Sequence, residues 1–95
     1  MVIIAGHELV DASDRDRYVD AFKNLVQRCR AFEGCIEVWI TADSVDPARV
    51  NTIEIWESSD ALDAWRRQAS APDPRIEVVE AAMRRYDATD GGPLF

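Results

Sequence analysis

Ninety-five residues are the length of one domain, near the lower limit at which a single core buries enough apolar surface to hold a fold. A composition of 47% hydrophobic and 31% charged residues excludes a disordered tail, and no apolar run approaches the ~20 residues that cross a bilayer. The net charge of −7, from eleven Lys plus Arg against eighteen Asp plus Glu, argues against a nucleic-acid partner, whose binding draws on clustered cations. With no membrane partner expected and "MVIIAGHELV" lacking the basic start of a secretory signal, the expected location is the cytoplasm.

"VIIAGHELV", residues 2–10, is rich in β-formers and predicts strand 1. Alternation puts Ile3, Ala5, His7 and Leu9 on one face and Val2, Ile4, Gly6, Glu8 and Val10 on the other. The set with His7 is expected beneath the helices. In "DASDRDRYVDAFKNLVQRCRAFEG", Tyr18, Phe22, Leu25, Val26, Cys29 and Phe32 recur at spacings of three and four, which predicts one amphipathic helix. Ser13 is its expected N-cap, and Gly34 its stop.

"CIEVWITAD" predicts strand 2, "SVDPARV" a turn, and "VNTIEIWES" strand 3. A second helix is expected from a cap at Ser59 or Asp60, through Leu62 and Trp65, to about Ser70. Pro72 and Pro74 then break it. "IEVVEAA" permits either a helical turn or extended chain, and "MRRYDAT" predicts strand 4. The domain is expected to span 1–90, with 91–95 a short mobile tail closing "DGGPLF".

The resulting β-α-β-β-α-β order is that of a ferredoxin-like α+β fold with an antiparallel sheet. Two helices cover one sheet face only, yet strands 1 and 2 carry apolar residues on both. A homodimer packed through its sheet faces, forming a dimeric α+β barrel, is therefore the expected assembly. Cys29 and Cys35 match neither a CxxC redox pair nor a zinc spacing, and are expected as reduced thiols in preference to a disulfide. No phosphate loop, HExxH or GxSxG occurs, and no metal site is expected.

The element order, the "EGC" that joins helix 1 to strand 2, and "EIWESSDALDAW" together resemble the antibiotic biosynthesis monooxygenase family of dimeric α+β barrels. The resemblance covers about residues 2–88. Its quinol-oxidising members imply a reaction without metal or flavin cofactor, in which the substrate's phenolate reduces O₂ directly. A tryptophan ending strand 3 is implicated there, and Trp56 matches it; the asparagine four residues earlier is Thr52 here, and the tyrosine six residues later is Leu62. The haem-degrading members imply an asparagine on strand 1, a tryptophan on helix 2 and a later histidine on iron. Trp65 matches the tryptophan and His7 stands in the asparagine's place, but no histidine follows Trp65, which argues against a His-ligated haem.

His7, the only histidine, can accept a phenolic proton near neutral pH, so His7 and Trp56 are the candidate catalytic residues. Phe22, Leu62 and Trp65 are expected to bound an aromatic substrate, although a tryptophan at helical spacing serves equally as core. Glu54, alternating with Trp56, is expected inside the dimer barrel and paired with Arg84 or Arg85. The expected function is cofactor-independent oxygenation of a quinol or other hydroxylated aromatic. A non-catalytic barrel that binds a small molecule is the alternative, and haem degradation a distant third.

Overall fold

The alternation and the three-four spacing become real elements in a computed structural model that describes residues 1–95. In chain order they are β1 (Val2–Leu9), α1 (Arg15–Ala21), α2 (Lys23–Arg30), β2 (Cys35–Ala42), β3 (Arg49–Trp56), α3 (Ser59–Arg66) and β4 (Glu80–Asp87). The strands form one sheet of order β2-β3-β1-β4 with every pairing antiparallel, the ferredoxin-like α+β arrangement.

Where one long helix was expected, the chain makes two. At Phe22 (φ −90°, ψ −1°) the backbone tightens, its N–H donating to the Val19 carbonyl at 3.1 Å. The Val26 N–H still reaches the Phe22 carbonyl at 3.0 Å, so α2 follows without a gap and the apolar stripe stays in phase. Ser13 is not the cap: its hydroxyl donates to Asp11 Oδ1 at 2.6 Å, and Asp14 occupies the N-cap position without capping the backbone, its Oδ1 accepting from Arg17 Nη2 at 3.1 Å instead. For α3 the cap is Ser58, one residue before the expected position, its Oγ accepting from the Ala61 N–H at 3.1 Å.

Gly34 ends the α2–β2 connection at φ +90°, and a Cβ there would also collide with the Ala61 Cβ of α3. Both the left-handed backbone and the close approach of α3 therefore require glycine. Helix α3 ends at Arg66, earlier than Ser70, and "IEVVEAA" resolves as extended chain. The Val79 N–H donates to the Leu9 carbonyl at 2.8 Å, so pairing with β1 starts well before Met83.

Register decides which face the helices cover. Val2 pairs with Trp56 and Ile4 with Glu54, so these four share a face. On it, Val2, Ile4, Val38 and Trp56 pack with Cys29, Leu62 and Trp65, while Val10 and Val50 pack with Tyr18 in a second cluster. The expectation for His7 is thereby corrected: it lies on the uncovered face, opposite Asn51 and Ala82, with Ile3, Ala5 and Leu9. The expectation for Trp56 is corrected in the same way, since its ring lies under the protein's own helices and is fully buried. The uncovered face also presents Ile53, Ile55, Trp39 (37% exposed) and Tyr86 (47% exposed).

Candidate functional site

The covered layer is built around three rings. Trp56 from the end of β3 and Trp65 from α3 stack at 6.3 Å between centroids and 29° between planes. Phe32, from the loop after α2, meets both edge-on, at 6.4 Å and 5.4 Å. Arg28 of α2 closes the outer side, its guanidinium carbon 5.8 Å from the Trp65 centroid while its Nη1 donates to the Ala69 carbonyl at 2.6 Å. The position of α3, and hence of Trp65, is fixed both by Leu62 in the core and by this arginine.

Between α2 and the sheet lies a cavity of about 50 Å³, walled by Leu25, Val26, Cys29, Val38, Ile40, Glu54 and Trp65. Glu54 is its one carboxylate. Its Oε1 accepts a hydrogen bond from Trp56 Nε1 at 3.1 Å, so the indole holds the acid in place from below. Neither expected arginine partner reaches it: Arg85 donates to Ser59 Oγ at 3.1 Å and stands 3.8 Å from Asp87, and Arg84 belongs to the opposite face. This role of Glu54 escaped the sequence reading because its face was misassigned.

Val26 and Ile40 line the inner cavity and also a far larger open groove between the helices and edge strand β2, of about 650 Å³. Val19, Trp39 and Ala42 make its apolar surface, with Asp16, Asp20, Lys23, Gln27, Arg30 and Thr41 as polar groups. Lys23 is held 3.6 Å from Asp20, and Arg30 Nε donates to the Val38 carbonyl at 3.0 Å. The groove is within the ~300–1,000 Å³ range of small-molecule sites, whereas the inner cavity falls short of the ~150 Å³ that accommodates a benzene ring. The groove thus has the volume for an aromatic ligand, and the neighbouring cavity has room only for a small substituent.

The five residues singled out from sequence are not one constellation. Trp56, Leu62 and Trp65 come together. Phe22 packs instead in the neighbouring cluster, its ring 5.0 Å from that of Tyr18. His7 is across the sheet, Nε2 standing 3.6 Å from Glu80 Oε2. In the second cluster the Tyr18 hydroxyl donates to Glu8 Oε2 at 2.9 Å, and burial followed by that carboxylate pushes the phenol well above its ordinary range. Cys29 and Cys35 are free thiols. No group of three or more His, Cys, Asp or Glu side chains converges into a metal-binding cluster, and no helix is long and apolar enough to cross a membrane.

A family model described as antibiotic biosynthesis monooxygenase matches residues 1–73. No curated protein sequence matches the chain. Among solved structures, a candidate antibiotic biosynthesis monooxygenase from Deinococcus radiodurans superposes with a TM-score of 0.82 at 19% identity, covering 100% of this chain and 99% of its own. A conserved protein from Methanosarcina mazei gives 0.75 at 16% identity, covering 93% and 92%. A further candidate monooxygenase, from Caulobacter crescentus, gives 0.77 at 17% identity, covering 94% and 90%. At such identities the likeness establishes the fold.

Proposed function

The chain belongs to the antibiotic biosynthesis monooxygenase family, and from that premise we propose that it is a monooxygenase acting on a quinol or other hydroxylated aromatic taken into the α2–β2 groove. One observation carries the reading: Val26 and Ile40 line both the groove and a small neighbouring cavity whose single carboxylate is Glu54. A flat ring occupies the groove, a hydroxyl reaches inward, and Glu54 accepts its proton. Trp56 is then a positioning residue, acting through its bond to that carboxylate. For a benzenoid quinol the balance is C₆H₆O₂ + O₂ → C₆H₄O₃ + H₂O. The substrate supplies all four electrons, one oxygen atom forming the new C–O bond and the other leaving as water.

A second reading gives the proton to His7, which the Glu80 carboxylate at 3.6 Å would support once charged. It requires the substrate on the uncovered sheet face, closed by a second copy of the chain. We also propose that homodimer in its own right, because Ile3, Ile53, Ile55, Trp39 and Tyr86 present apolar side chains on the sheet face that no helix covers. Sedimentation of a dilute sample as a monomer would refute it.

Oxygen uptake with a panel of dihydroxyarenes tests the function. Glu54→Gln is expected to lower kcat at least tenfold while His7→Ala leaves it within about twofold, since removing a general base typically costs ~10²–10⁴. The reverse pattern transfers the role to His7. Thermal-shift binding of the same arenes with no oxygen uptake would replace the enzyme by a small-molecule-binding barrel.

A further inference from the structure

Cys29 occupies the last turn of α2 and Cys35 is the first residue of β2, and their Sγ atoms are 3.8 Å apart. Seven residues, 29–35, close the loop between them. It contains Phe32, which packs against both tryptophans, and Gly34, whose left-handed backbone turns the chain back toward the helix. Helices α1 and α2 and strand β2 wall the groove, and Cys29 lines the small cavity beside it. The sulfurs already touch, and a disulfide at ~2.05 Å needs them to approach by about 1.8 Å more. The two thiols differ in access: Cys29 is buried, whereas Cys35 is partly exposed.

We propose that Cys29 and Cys35 form a reversible disulfide that locks the end of α2 to the start of β2 beside the small cavity, with a hydroperoxide as oxidant. The thiolate of Cys35 attacks a peroxide oxygen; the O–O bond breaks, leaving Cys35 as a sulfenic acid and releasing hydroxide. The Cys29 sulfur then attacks the Cys35 sulfur, the S–S bond forms, and a second hydroxide leaves. The two thiol protons convert both hydroxides to water, so the sum is 2 RSH + H₂O₂ → RSSR + 2 H₂O. Burial raises the pKa of both thiols, so at neutral pH both rest protonated and little thiolate is present to attack a peroxide. Oxidation is consequently slow at neutrality and accelerates as the pH rises. The chemistry of the pair does not depend on what the groove binds.

Intact-protein mass spectrometry after hydrogen peroxide treatment, with alkylation of remaining thiols, reads the reaction. The expected result is a monomeric chain lighter by two hydrogen atoms, with neither thiol alkylated, restored to two alkylatable thiols by a dithiol reductant. Cys35→Ser keeps the buried partner and must abolish the two-hydrogen loss, with circular dichroism confirming that it folds. Two alkylatable thiols after treatment, added oxygen without a disulfide, or only intermolecular cross-links would each overturn the proposal. The lock has its own readout: closing a seven-residue loop shifts the folding equilibrium by roughly fifty-fold in the chain-entropy model. The oxidised protein is therefore expected to melt higher than the reduced one and to show slower amide exchange over 29–38; unchanged melting and exchange would refute the lock.

Discussion

The bond between Trp56 and Glu54 makes a quantitative claim about how the covered layer is held together. Trp56→Phe keeps an aromatic ring in the core but removes the N–H that Glu54 accepts at 3.1 Å, leaving a partly buried carboxylate without its donor. A hydrogen bond to a charged group contributes about 1.5–3 kcal/mol, and the smaller ring adds a packing loss, so the variant is expected to lose about 2–4 kcal/mol. Glu54→Leu leaves the indole N–H buried without an acceptor, a cost of about 1–3 kcal/mol. The double variant removes both partners at once and is expected to cost less than the sum by about 1.5 kcal/mol. The lower end applies because Glu54 is not fully buried and water partly replaces its partner. Urea unfolding of all four proteins at one fixed concentration gives this coupling directly, with equal slopes showing that the unfolded states are comparable. A coupling below about 0.5 kcal/mol is indistinguishable from independent sites, and would refute the claim that Trp56 positions Glu54.

Leu62→Ala is expected to cost about 2–5 kcal/mol in urea unfolding, because a fully buried leucine anchors α3 from within the core. Gly34→Ala is expected to cost about 2 kcal/mol or more by the same measurement, combining a left-handed backbone with a collision against Ala61. Asp43 accepts from the backbone N–H groups of Asp46 and Val45 and from Asn51 Nδ2, bonds that lower its pKa from 3.8 to about 2. A carboxylate with a depressed folded pKa contributes stability that is present above its unfolded pKa and lost as pH falls through its folded one. Asp43→Ala is thus expected to be less stable than the parent above about pH 4, the gap closing toward pH 2 in a series of melting curves. A gap that does not depend on pH would refute the assignment.

What the sequence could and could not disclose has one physical root. Element order and residue sets follow from periodicity: β1 pairs Val2 and Ile4 with Trp56 and Glu54, as a period of two requires. Periodicity sorts residues into two faces without saying which is covered when both are apolar. Ile3, Ile53 and Ile55 on one side make as persuasive a core as Val2, Ile4, Val50 and Trp56 on the other. Preferring the first set carried His7 beneath the helices and Trp56 away from them, and made Glu54 look like a barrel residue. The break at Phe22 was equally silent, since it involves neither proline nor glycine and leaves the three-four spacing intact. Two signals did point to the covered face: Trp56 is the largest side chain on β3, and Glu8 lies in phase with Val2 and Ile4, where Tyr18 of α1 can donate to it. A buried polar group is found with its partner, so a tyrosine on the apolar stripe of a helix and a carboxylate on a strand select the strand face that brings them together. Tyr18→Phe carries that argument to a test: with its phenol raised by burial, the parent should lose stability as pH rises above 10.0, and the phenylalanine variant, which keeps only the contribution of the buried thiols, should decline less. If both proteins fall equally in alkaline melting curves, Glu8 and Tyr18 do not mark the covered face.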